Sequence, residues 1–244
     1  MIELERPRDA GGLLRDSLVV YVRHFWTFLA LGALVVVPSE LIVSGIGLEQ
    51  LTSDYDSTPR FAEAAIPAAV SYLVVGPLIT AICIYALRSV AAGGSTGARE
   101  AIVRGFESFS PIFFAVLLAA AGILLGAILI LPGVYLFVRW YFVPQAVVLE
   151  RTEGTGALRG SGRLVEGLWW RTFGLVVLVN VLALVVAVLV GAPFSAAASG
   201  TDRAVWALAG EIVAGVLTQP FAALYSTFLY YDLRARKRAA SRWA

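Results

Sequence analysis

From Thr172 to Phe194 the chain runs through TFGLVVLVNVLALVVAVLVGAPF without one charged side chain. As an α-helix this stretch is roughly 35 Å long, enough to cross the roughly 30 Å hydrocarbon core of a bilayer. It is apolar on every face, so a helix made from it has no side to offer to water. In lipid each backbone amide must be satisfied inside its own segment, which selects the helix over any open strand. That one stretch dictates an all-α fold in a membrane. Composition agrees: 59% of residues are hydrophobic and 15% charged, against about 45–50% and about 25% in soluble domains.

Five further apolar stretches surround it, and together they predict six transmembrane helices: Phe25–Leu48, Ala64–Leu87, Ser110–Leu131, Val134–Leu149, Thr172–Phe194 and Ala204–Tyr231. The fourth is the shortest, roughly 24 Å as a helix. Basic residues fix the expected orientation, because Lys and Arg collect in cytoplasmic loops. Sixteen of the nineteen precede the first span, separate the second from the third and the fourth from the fifth, or follow the sixth. The alternate loops carry only Arg60 and Arg203. The expected topology is therefore multi-pass in the plasma membrane with both termini cytoplasmic.

Before alternate spans lie amphipathic segments, expected as interfacial helices. In the first, Leu14, Leu18, Tyr21 and Phe25 share a face. In the second it is Ala98, Ile102, Phe106 and Phe109, and in the third Leu158, Ser161, Val165 and Leu168. The plan is a single membrane domain, 1–244: an amphipathic lead-in at 1–24, a six-span bundle at 25–231 built as three hairpins, and a basic tail at 232–244. The second span of each hairpin carries a proline (Pro77, Pro144, Pro220), and the tetrapeptides at 14–17 and 158–161 echo each other. Prolines at these places either unwind backbone to line a site or simply bend helices for packing.

Three charges fall inside the predicted spans, Glu40, Arg139 and Glu211. Counting 1.5 Å per residue from the outer helix ends puts all three at one depth in the outer half. A lone charge in hydrocarbon costs at least about 2.5–3.5 kcal/mol, so these residues either pair as an intramembrane cluster or snorkel singly. Thr80, Asn180 and Gln219 lie deeper and are placed to hydrogen-bond across helices. Trp26, Trp169, Trp170, Tyr230 and Tyr231 fit an interfacial aromatic belt.

Catalytic signatures are thin. His24 is the only histidine and Cys83 the only cysteine, so neither a His-rich zinc site nor a Ser-His-Asp triad assembles. Gly160-Ser161-Gly162 lacks the spacing and the preceding strand of a nucleophile elbow, and no phosphate-binding Gly loop with Lys is present. The expectation is a non-enzyme without metal or cofactor, with no nucleic-acid partner. Its expected partners are membrane lipids, anionic head groups at the basic face among them, and a possible membrane-protein partner.

The run LPGVYLFVRWYFVPQAVVLERTEGTGALRGSGRLVEG resembles the glycerophosphoryl diester phosphodiesterase membrane-domain family. The matching positions are Pro132, Gly133, Arg139, Pro144, Glu150, Ala157, Leu158, Ser161 and Gly167, and LYYDLRARKR near the end looks like that family's closing motif. The resemblance covers about forty residues closely and the rest in layout. It implies a six-span bacterial or archaeal membrane protein of undefined activity, and the catalytic domain fused to some members has no counterpart here. Two functions stay open: a scaffold organising envelope or lipid-related components, and a small carrier for a lipid-like substrate working through the Arg139, Glu40 and Glu211 level.

Overall fold

A computed structural model describes residues 4–45, 68–93, 97–197 and 203–241. The polar loop expected at 49–63 lies outside the described residues, as do 94–96 in the Gly-rich linker, 198–202 in the small-residue loop and the last three residues. Among the described residues every regular element is a helix. Five of the helices are long and apolar enough to cross a membrane, the mark of a membrane protein.

Helix α1 (Ala10–Arg23) starts at Asp9, whose carboxylate accepts the Gly12 amide at 2.9 Å, capping an otherwise orphan donor. His24 ends it, and α2 (Phe25–Gly45) follows at once. The next helix, α3, runs Ala68–Ala91, with a π-helical turn at Ser71–Val75 just before Gly76-Pro77. The cause is local: Pro77 has no amide for the carbonyl four residues back and its ring crowds that carbonyl, so the preceding turn widens. Helix α4 (Ala98–Glu107) then leads into α5 (Phe109–Ala127).

The fourth predicted span is not one helix. It is two, α6 (Leu131–Arg139) and α7 (Val143–Glu150), parted at Trp140–Phe142. Pro144 sits in the first turn of α7, where its missing amide is no loss. Pro132 and Gly133 likewise fall in the first turn of α6, and the chain reverses just before it, at 128–130. Gly133 is there for approach: a Cβ on it would stand 2.7 Å from the Ala127 Cα.

Helix α8 (Thr155–Val165) folds back along α6 and α7, putting Ser161 beside Phe142 and Gly162 beside Arg139. Helix α9 (Trp169–Ala197) and the 38-residue α10 (Arg203–Ala240) complete the chain. The basic segment from Asp232 onward is thus mostly a continuation of the last helix. The centre of the bundle is α3 and α10, whose most apolar windows are 61% and 50% buried; that of α9 is 17% buried and meets little but α10 and α6. Gly32 of α2 lies so close to α10 that a Cβ would come within 2.6 Å of the Pro220 ring and 2.9 Å of the Val216 carbonyl.

The first amphipathic helix turns a face that includes Ser17 to the bundle and leaves Leu18 outward. Leu13, Ser17, Val20 and Tyr21 are inside, while Leu18 is 52% exposed. The cause is Ser17: its hydroxyl donates to the Leu13 carbonyl at 2.7 Å, which satisfies it and lets a polar residue face α10. In α8, Ser161 and Val165 are buried and Arg159, Arg163 and Glu166 are exposed.

Candidate functional site

A cavity of about 420 Å³ opens between α3, α5, α6, α7, α9 and α10. Pro77 and Pro144 line it directly, and Gln219 beside Pro220 completes the ring. Its polar wall comes from Thr80, Tyr141, Gln145, Asn180, Gln219 and Ser226. Along α10, Gln219 and Ser226 stand about 20 and 9 Å from Asp232 near the arginine-rich end, so the cavity lies within the apolar part of the bundle. No charged side chain among the described residues lines it.

Gln145 is its most constrained wall residue. It is 2% exposed, and its Nε2 donates to the Ser226 hydroxyl at 3.0 Å while that hydroxyl donates onward to the Ala223 carbonyl at 2.9 Å. The amide is thereby fixed in orientation, and its Oε1 is buried without a hydrogen-bond partner. Buried acceptors in folded proteins nearly always find a donor. Asn180 is anchored in a similar way, donating to the Val176 carbonyl at 2.7 Å, with the Tyr141 hydroxyl in hydrogen-bond reach.

A second constellation joins the two ends of the chain. Asp232 is fully buried; it accepts the Arg8 amide at 2.6 Å, Arg171 Nη2 at 3.2 Å and Arg236 Nε at 3.0 and 3.1 Å. The Arg8 carbonyl accepts both guanidiniums in turn, at 2.6 Å from Arg171 and 2.7 Å from Arg236. The Arg8 side chain lies over the Phe228 ring and donates to Asp16 at 2.7 Å. Burial alone would raise the Asp16 carboxyl; hydrogen bonds and charge from Arg6 and Arg8 outweigh it and hold the group below its ordinary value. The Arg171 Nε and Tyr225 hydroxyl nearby are buried and unpartnered. Glu5 adds ion pairs to Arg234 and Arg238. Arginines from before the first span, after the fourth and in the tail thus meet at one end of the bundle.

The predicted charged cluster does not assemble. Glu40 and Glu211 come within electrostatic reach of each other across the α2–α10 contact, but Arg139 is elsewhere. Its guanidinium donates to the Tyr135 hydroxyl at 2.9 Å and lies against Gly162, 3.1 Å from where a Cβ would stand. The count along the chain assumed a straight helix from Val134, whereas the chain breaks after Arg139 and α8 folds back over the break. The aromatic belt is divided as well: Trp26 and Trp170 are each 78% exposed, while Tyr230 is fully buried.

The remaining motif positions are structural. Ser161 donates to the Arg139 carbonyl at 2.8 Å and accepts the Phe142 amide at 3.2 Å, satisfying both sides of the break between α6 and α7. Glu150 accepts the Tyr230 hydroxyl at 2.5 Å, tying α7 to α10. Ala157 is fully buried against α5 and α7, Leu158 is partly buried beside it, and Gly167 ends the turn after α8 at φ 75°. Sequence reasoning missed Gln145 and Asp232. Their signals were present: an amide directly after a proline in a span, and the one acid in a basic tail.

These observations define a helical membrane protein with a neutral polar cavity at its helix breaks and an ionic clasp at one end. The chain matches the domain of unknown function DUF7847 over residues 22–233 and belongs to that family. No curated protein and no solved structure matches it.

Proposed function

We propose that this is a multi-pass plasma-membrane protein that holds a lipid-like amphiphile in its proline-lined cavity, as a binding protein or carrier and not as an enzyme. In this reading α6 and α7 together make a broken fourth crossing of a six-span bundle. The ionic clasp and both termini are then cytoplasmic, where most of the arginines belong. The observation that carries the proposal is the cavity of about 420 Å³, walled by neutral hydrogen-bonding side chains and apolar surface. That volume falls in the usual range for small-molecule sites, and such sites are mostly apolar with few placed polar groups. Interrupted helices around a midplane site are also a recurring construction in transporters.

The test is native mass spectrometry of the protein in its own lipid patches, beside Ala222→Phe, which fills the cavity from a half-buried lining position. The expected result is a stoichiometric lipid-like adduct on the wild type that the monodisperse variant has lost. An adduct equally abundant on both would refute the cavity as its site. The scaffold reading rests on α9, whose window is 17% buried and leaves a long apolar face for a neighbouring helix. A protein partner that survives Ala222→Phe would support it.

A further inference from the structure

The cavity's own chemistry narrows what it takes. We infer that its ligand presents an uncharged hydroxyl or amide donor to Gln145 Oε1, with hydrocarbon filling the remainder; this deepens the proposed binding function and rests on it. Three observations carry the inference. First, Gln145 Oε1 is a buried, unpartnered acceptor, and its orientation is not free to change. The Nε2 bond to Ser226 holds the amide one way round, because the Ser226 hydroxyl spends its proton on the Ala223 carbonyl. The cavity therefore offers an acceptor and calls for a donor.

Second, the wall has no cation to meet an anionic head group. The guanidiniums of the clasp, Arg171 and Arg236, are already engaged by Asp232 and the Arg8 carbonyl. Moving a phosphate or carboxylate into such a space costs several-fold more than moving an alcohol or amide, since the ion loses its hydration without a counter-charge. Third, apolar residues such as Val116, Ala119, Phe137 and Val143 line the rest, which suits acyl or prenyl carbon. The ligand class is an uncharged amphiphile, a neutral glyceride or a polyprenol-type alcohol being the two simplest chemistries.

The experiment compares two probes with the same chains, dioleoylglycerol and dioleoylphosphatidic acid, titrated onto delipidated protein and counted by native mass spectrometry. Three proteins are used: wild type, Gln145→Leu, which keeps the size but removes the acceptor, and Ala222→Phe. The expected result is that wild type retains the glyceride about tenfold better than the phosphatidic acid. Gln145→Leu should lose about tenfold in glyceride retention, the scale of one buried hydrogen bond. Equal retention of both probes by wild type overturns the inference without needing any variant to fold. So does a folded Gln145→Leu that binds the glyceride as wild type does. In either case loss of both probes on Ala222→Phe would leave the cavity standing as a lipid site, whereas unchanged binding on Ala222→Phe removes the binding proposal itself.

Discussion

Replacing Asp232 by alanine tests the clasp most directly. Its carboxylate receives three donors: the buried Arg8 amide and the side chains of Arg171 and Arg236. The two guanidinium side chains are 28% and 32% exposed, so water recovers most of what they lose, and each contributes about 0.5–1 kcal/mol. The Arg8 amide is in a buried setting and recovers nothing, which costs about 1–3 kcal/mol. The sum is about 2–5 kcal/mol, and a domain of 150–250 residues loses about 2–4 °C per kcal/mol. Asp232→Ala should therefore lower the midpoint of thermal unfolding by about 4–20 °C, followed by tryptophan fluorescence in detergent. Asp232→Asn should cost less than half of this, because an amide oxygen still accepts the Arg8 N–H. A shift below about 2 °C for Ala, or an Asn variant as damaged as Ala, would refute the assignment of Asp232 as the centre of the clasp.

Gly32→Ala should cost about 1–3 kcal/mol, seen as a lower unfolding midpoint, because its Cβ would stand 2.6 Å from the Pro220 ring. Tyr230→Phe removes the 2.5 Å bond to Glu150 and should cost about 1–2 kcal/mol; an unchanged midpoint would show that α7 is held to α10 by packing alone. For Asp16, the folded carboxyl lies below its ordinary value of 3.8, so its stabilisation is complete above that pH and is lost as pH falls through the depressed value. Asp16→Asn should flatten the acid side of the stability profile, and an unaltered acid limb would contradict this.

The all-helical membrane fold was legible in the sequence because apolar length is a one-dimensional property, and spans such as Thr172–Phe194 announce it by themselves. Five of the six predicted spans correspond to helices long enough to cross. What failed were statements that need three dimensions. Depth counting placed Arg139 with Glu40 and Glu211, but a count along the chain cannot see a helix break after Arg139 or the return of α8. Thr80, Asn180 and Gln219 stood out in the sequence as polar residues within apolar spans, but only the fold gathers them with Gln145 and Ser226 around one space.

Asp232 and the Arg8 amide meet across 224 positions of chain. During synthesis the Arg8 amide must wait, held by water, until the last helix emerges and supplies the carboxylate. Closing so long a loop cannot lead folding, since its entropy has to be met before the contact repays it. The clasp is thus a completion step: it rewards chains that have inserted every intervening helix and leaves those truncated before Asp232 with an unanswered guanidinium at Arg171. A cell that degrades proteins with exposed, unsettled helix ends would read that difference directly.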